Sequence, residues 1–158
     1  MERRALRRLF VKGFKAHGLH YAEGGWQVEH DDVTWSVSLH ADGSGVAAPY
    51  RLVLGASVRE LAPLAPRDAW DCYLFLPLYY SESEGTRSSA LTMPDAAFPE
   101  WPGTDEERAE VIAGCVDGVM GYISSVDSVD RLRERYTAGD YDNAGIILPM
   151  RSLLERPA

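Results

Sequence analysis

The hydrophobic pattern of the chain changes its period near the N-terminus, and this change constrains the fold more than any other feature. Apolar residues recur every four positions at Leu6, Phe10 and Phe14, which predicts an amphipathic helix over residues 2–17. From residue 26 the pattern alternates with a period of two, which is typical of half-buried strands. Strands with one apolar face need helices to cover that face, so the pattern predicts an α+β fold.

Four short segments of the chain predict β-strands. They cover residues 26–29, 33–39, 50–58 and 72–79. The last of them contains Pro77, which predicts an edge position or a bulge because proline cannot donate a hydrogen bond to a neighbouring strand. We therefore expect an antiparallel sheet of about four strands.

The C-terminal third of the chain predicts two or three helices that complete the cover of the sheet with the N-terminal helix. Thr104 and Glu107 have the spacing of a capping box at the start of the first of these helices. A second helix is expected to end at Gly139. Residues 141–155 are helical in pattern, and Pro149 is expected to break that segment.

The composition is that of one ordinary globular domain. The chain has 158 residues, of which 46% are hydrophobic and 25% are charged. At this length a domain buries about 68–70% of its unfolded surface. No apolar segment approaches the ~20 residues that span a bilayer, and Cys72 and Cys115 are predicted to be buried free thiols of a reducing compartment. We expect a single cytoplasmic domain over residues 1–158.

The net charge of −8 is unevenly distributed along the chain. Residues 1–20 carry six basic side chains and one acidic one, whereas residues 81–110 carry eight acidic side chains against Arg87 and Arg108. Nucleic-acid phosphates favour clustered Lys and Arg, so a nucleic-acid partner is disfavoured and a basic protein is the better candidate. Binding of an anionic surface by the basic first helix stays open as a third hypothesis.

Residues 81–103 form an irregular acidic insert that is rich in serine and proline. Its length exceeds the ~12–15 residues of ordinary loops, which predicts a functional or partly disordered segment. Large aromatic side chains among acids are typical anchors of a protein interface, unless they pack the insert onto its own domain. The candidate partner-binding residues are Glu82, Glu84, Phe98, Glu100 and Trp101.

A second candidate site is the polar face of the second predicted strand, beside the aromatic residues around the fourth. The fourth strand is apolar on both faces, which predicts that both are covered by protein or that one lines a pocket or an interface. The candidate pocket residues are Thr34, Ser36, Ser38, His40, Trp70 and Tyr73. The fourth strand or its aromatic face is also compatible with a homodimer.

The motifs of well-known catalytic and cofactor sites do not occur in the sequence. It lacks the phosphate-binding pattern G-x-x-x-x-G-K-[ST] and the nucleophile pattern G-x-S-x-G. His30 and His40, each with an acidic neighbour, stand at opposite ends of a predicted strand about 23 Å long, too far apart to share one metal ion. We expect no metal and no cofactor and name no catalytic residue, and whether the protein is an enzyme stays open.

Several features of the chain occur in the same order in a known bacterial family. They are Gly13-Phe14, Trp26, the strand 33–39, the segment Tyr50-Arg51-Leu52-Val53-Leu54-Gly55 and the helix end Leu132, Tyr136 and Gly139. In these features the chain resembles the family called domain of unknown function 4304. The resemblance implies a small α+β protein, and because some members look like immunity proteins of toxin systems, it implies an inhibitor without catalytic residues.

Two functions from different classes therefore follow from the sequence. The first is a non-catalytic intracellular binding protein, most concretely an immunity-type inhibitor of a basic protein. The alternative is a small-molecule-binding protein or an enzyme with a pocket over the polar face of the sheet.

Overall fold

The computed structural model describes residues 1–80 and 91–157, and this part of the chain forms four α-helices and one five-stranded antiparallel sheet. The helices are α1 (Arg3–Ala16), α2 (Asp105–Ser125), α3 (Val129–Thr137) and α4 (Leu148–Glu155). The strands are β1 (Gly25–Glu29), β2 (Val33–Ala41), β3 (Tyr50–Val58), β4 (Leu74–Pro77) and β5 (Gly145–Ile146). The predicted α+β fold is confirmed, with five strands where about four were expected.

The additional strand comes from the segment 141–155, which was predicted to be helical in pattern with a break at Pro149. The strands lie in the sheet in chain order, and β5 pairs with β4 through Gly145 opposite Phe75 and Ile146 opposite Leu74. A strand of two residues is too short to show a period of two in the sequence. Pro149 does not break a helix: it lies in the first turn of α4, where no helical hydrogen bond is lost.

The short length of β5 also explains how β4 accommodates a proline. Pro77 lies opposite Val53 of β3, but β5 reaches only Leu74 and Phe75 of β4. Pro77 therefore lies at a local edge, which is where a strand tolerates a residue without an N–H.

One face of the sheet packs against the helices and forms the hydrophobic core. The indole of Trp35 on β2 donates a hydrogen bond of 2.8 Å to the carbonyl of Val126 at the end of α2, and its ring meets that of Tyr122 edge-on at 5.9 Å. The apolar side of α1 is completely buried in this core; its residues are Leu6, Phe10 and Phe14. The predicted apolar face of the first helix is confirmed.

The opposite face of the sheet is covered by the chain between β3 and β4, residues 59–73, which we call the strap. The Ser36 hydroxyl donates to the carbonyl of Pro66 at 2.6 Å, and the Ser38 hydroxyl accepts a hydrogen bond of 2.9 Å from the backbone N–H of Ala69. Both serines are buried. The two hydroxyls in the middle of the polar face of β2 are therefore satisfied by the protein's own backbone.

Gly55 on β3 permits this close approach, and its substitution tests the strap. A Cβ atom at this position would lie 2.7 Å from the Ala69 carbonyl oxygen and 2.6 Å from the Cys72 sulfur. We expect Gly55→Ala to lower the free energy of unfolding by about 1–3 kcal/mol in urea denaturation, because the strap must shift. The matched control is Gly121→Ala on α2, where a Cβ atom meets open space and about 0.5–1 kcal/mol of stabilisation is expected. Equal effects of the two substitutions would contradict the close contact.

Candidate functional site

One buried arginine holds the described part of the acidic insert against the domain. Arg108 lies in the first turns of α2 and is only 2% exposed. Its Nη1 donates to the carbonyls of Ala96 at 2.9 Å and Phe98 at 2.6 Å. Its Nη2 donates to the carbonyls of Pro99 at 3.2 Å and Trp101 at 3.1 Å. A single guanidinium thus fixes the conformation of the backbone ahead of α2.

The charge of Arg108 is compensated by dipoles rather than by a carboxylate. The ion pairs formed among the described residues do not include Arg108. Besides the four carbonyls, the ring of Trp101 lies 5.4 Å from Cζ, while the buried Nε has no hydrogen-bond partner. The positive charge of Arg108 is therefore withdrawn from the protein surface.

The carboxylates around this segment face the solvent, and we call them the acidic shelf. They are Asp95, Glu100, Asp105, Glu106, Glu107 and Glu110. Glu107 completes the predicted capping box, because its carboxylate accepts from the Thr104 N–H at 2.8 Å, and this hydrogen bond lowers its pKa. Arg108 is the only basic residue between positions 91 and 110. Since its charge is buried, residues 91–110 contribute no exposed cation that would neutralise the acidic shelf.

The two aromatic residues of the insert have different environments. Trp101 is half-buried against Arg108, and its ring fills the space where a side chain at position 103 would be. Phe98 is 37% exposed and packs on one side against Tyr80, with ring centroids 4.6 Å apart. Trp101 thus attaches the segment to its own domain, whereas Phe98 stays available to a partner.

The candidate partner-binding residues therefore separate into two groups. Phe98, Glu100 and Trp101 lie together ahead of α2, whereas Glu82 and Glu84 lie outside the described residues. Sequence reasoning missed Arg108, although its spacing of four from Ile112 places it on the buried stripe of α2.

Not every apolar residue of α2 faces the core. Val111 is 41% exposed, whereas Val116 is completely buried. The solvent-exposed face of α2 therefore consists mainly of acidic residues and of residues with small side chains.

The six candidate pocket residues do not surround one cavity. Ser36 and Ser38 are covered by the strap, while Thr34 lines a separate polar cleft of about 120 Å³ beside Arg59. His40 and Trp70 lie toward the opposite end of the strand, with ring centroids 6.1 Å apart and His40 Nε2 3.2 Å from Asp68 Oδ1. Tyr73 instead precedes β4 at the level of Ser57, which pairs with Thr34. The strap thus covers the middle of the predicted pocket face.

Both thiols have a raised pKa, and the potential metal ligands of the described residues do not cluster. Cys72 is buried as predicted, which raises the pKa of its thiol above the usual value. Cys115 is only half-buried, and desolvation raises the pKa of its thiol to about 11. Across residues 1–80 and 91–157, no three His, Cys, Asp or Glu side chains converge as a metal site would require.

In the same part of the chain, no individual helix combines the length and the apolar character needed to cross a membrane. Only α2 and α3 taken together pass this test, and they are bent by 113° relative to each other.

Comparison of the chain with protein-family models, with curated proteins and with solved structures gives no match in any of the three. The resemblance to domain of unknown function 4304 therefore stays a prediction, and the function must be argued from the residues themselves.

Removal of the Arg108 guanidinium should loosen the backbone of the acidic shelf. We expect Arg108→Met to lower the free energy of unfolding by about 3 kcal/mol or more, because a buried acceptor left without its donor costs roughly 1–3 kcal/mol. Arg108→Lys keeps the charge and some of the donors, so a smaller loss is expected. Urea denaturation measures the stability, and hydrogen exchange of the amides at positions 96–104 measures the local effect. Unchanged amide protection in Arg108→Met would contradict the proposed role.

The raised thiol pKa of Cys115 predicts slow alkylation. At pH 8 a thiol with a pKa of about 11 has ~100-fold less thiolate than one with a pKa of 9.0. We expect iodoacetamide to label Cys115 at least that much more slowly in the folded protein than in the urea-unfolded protein. The folded-state rate should increase with pH until about 11, because deprotonation is shifted upward. Labelling of a Cys72→Ser variant isolates Cys115, and equal rates in the two states would contradict burial of the thiol.

Proposed function

We propose that the protein is a non-catalytic binding protein whose acidic shelf docks a basic protein partner. The observation that carries this proposal is the asymmetry of charge around α2: every carboxylate of the shelf is exposed, and the only cation of the same stretch is buried. Such a surface attracts a basic protein over long range and speeds its association.

The arrangement of Phe98 supports the same proposal. An exposed aromatic side chain surrounded by charged groups has the anatomy of an interface, with an apolar anchor and a polar rim. Arg108 holds the backbone on both sides of Phe98 through the carbonyls of residues 96–101. A segment that is already fixed loses less conformational entropy on binding, which favours affinity.

In its most concrete form the proposed function is that of an immunity-type inhibitor. This part rests on the resemblance of the chain to domain of unknown function 4304 together with the acidic shelf. The small-molecule alternative has less support, because the strap covers Ser36 and Ser38 in the centre of the polar strand face.

The proposal is tested by capturing the partner from a lysate of the source cells at low and high salt and then measuring binding to the purified partner. We expect Asp95→Lys with Glu100→Lys to slow association about tenfold at low salt, because electrostatic steering is lost. Phe98→Ala should instead increase the dissociation rate by about tenfold, which corresponds to roughly 1.4 kcal/mol.

The matched control is the double variant Asp31→Lys with Asp71→Lys, which changes the net charge by the same amount at exposed positions away from the shelf. Association rates that fall equally in the shelf and control variants would show a general effect of charge and would contradict a docking surface. For the inhibitor function, expression of the captured partner alone should arrest growth. Coexpression of the wild-type protein should restore growth, and coexpression of the shelf variant should not.

A further inference from the structure

Helix α1 has a basic face that the rest of the described protein leaves unpaired. Its exposed cations are Arg4, Arg7, Arg8, Lys12 and Lys15. None of them takes part in the ion pairs formed among residues 1–80 and 91–157. The apolar face of the same helix is buried in the core, so α1 is held with its cations outward.

Helix α2 lies beside α1 and runs in the same direction. At one end, the N-terminal ammonium of Met1 donates to the carbonyl of Pro99 at 3.0 Å, and Arg108 of α2 donates to that same oxygen at 3.2 Å. Farther along, Gly13 packs so closely on Val116 that a Cβ atom at position 13 would lie 3.0 Å from its side chain.

The C-terminal end of α1 is joined to the middle of α2 by a contact of 2.7 Å between His17 and Asp117. Positions along α1 therefore match positions about 100 residues later along α2.

The outward side of α2 has the opposite charge. Glu106, Glu110 and Asp117 are exposed, and the only basic residue of the helix is the buried Arg108. Gly114 and Gly118 lie on the same exposed part of α2, and Cβ atoms there would meet open space. The outer surface of the helix layer thus has two parallel stripes, a basic one on α1 and an acidic one on α2.

The charges of the two stripes also match in spacing. Arg4 and Arg8 are four residues apart, and so are Glu106 and Glu110, which gives ~6 Å along each helix axis. The contacts at the two ends of α1, between Met1 and Pro99 and between His17 and Asp117, place both pairs at about the same level near the start of their helices. Lys15 is correspondingly level with Asp117.

We propose that this surface binds a second copy of the chain in a two-fold dimer, in which α1 of each copy lies over α2 of the other. The two-fold axis lies between the two copies and runs parallel to α1 and α2. Rotation about it changes neither the direction of a helix nor its height along the axis. Arg4 and Arg8 of one copy then meet Glu106 and Glu110 of the other, and the same contacts form again on the other side of the axis. The surface is complementary to itself in charge.

A polyanion fits this surface less well than a second copy does. A nucleic-acid backbone or an anionic lipid surface lying along α1 would also lie beside the exposed carboxylates of α2, which repel it. A second copy places its acidic α2 against the basic stripe and its basic α1 against the acidic stripe at the same time. Because the contact is largely electrostatic and exposed, the dimer is expected to be weak and sensitive to salt.

The dimer goes beyond the proposed function and has a consequence for it. Glu106 and Glu110 belong both to the acidic shelf and to the dimer surface. A basic partner and a second copy therefore compete for part of the same surface, although Asp95, Phe98 and Glu100 are used by the partner alone.

Two reciprocal charge reversals test the dimer. In sedimentation velocity at 50 mM salt we expect the wild type to dimerise and to dissociate at 500 mM salt. Arg4→Glu with Arg8→Glu should raise the Kd of the dimer about a hundredfold, since four exposed ion pairs, two on each side of the axis, are replaced by contacts between like charges. Glu106→Lys with Glu110→Lys should have the same effect. An equimolar mixture of these two variants should form a heterodimer, because both of its contacts are again between opposite charges.

The controls separate this surface from a general effect of net charge and from the proposed function. Arg59→Glu with Arg151→Glu and Asp31→Lys with Asp71→Lys match the two reversals in charge at other exposed positions, and both should still dimerise. Circular dichroism shows that each variant is folded. The variant Asp95→Lys with Glu100→Lys should dimerise like the wild type even though it associates more slowly with the basic partner. A monomeric wild type at 200 µM protein, dimers that persist in either reversal, or folded reversals that stay monomeric when mixed would each overturn the proposal.

Discussion

The burial of the Arg108 guanidinium is the interaction on which the functional surface depends. A buried charge is costly unless its donors are satisfied, and here four backbone carbonyls take the place of a carboxylate partner. Those carbonyls can converge on one side chain only if the chain ahead of α2 wraps around it. The same requirement positions Pro99, whose carbonyl also accepts a hydrogen bond from the ammonium of Met1, just ahead of α1. One desolvated cation thus connects the acidic insert, α2 and α1.

The part of the fold that was predictable from the sequence is the part with strong local signals. The period of four in α1, the alternation in β2 and the capping box at Thr104 all correspond to elements of the structure. The strand β5 was not predictable, because two residues show no period and their partner lies in β4 far away in the sequence. The cover on the polar face of β2 was also missed, since serines that face a buried backbone and serines that face solvent look the same in the sequence.

The candidate site was predictable only in its composition. The concentration of acids and aromatics before α2 is visible in the sequence, but the separate environments of Phe98 and Trp101 depend on tertiary contacts. An arginine among four acids suggests a surface ion pair, whereas Arg108 makes none among the described residues and is buried. The spacing of the apolar stripe favours burial of Arg108. The sequence does not show, however, which carbonyls will accept hydrogen bonds from its guanidinium.

The pairing of β4 with β5 has a consequence for the time at which the sheet is completed during synthesis. The two strands are about 70 residues apart in the chain, whereas every other pair of neighbouring strands is closer together. At ~5–20 residues per second, a ribosome needs several seconds to produce the segment between them. During that interval the outer edge of β4 carries unpaired backbone groups, which is the kind of edge that promotes association between incomplete chains. The last strand of the sheet, although the shortest, therefore decides how long the nascent protein stays exposed to misassembly.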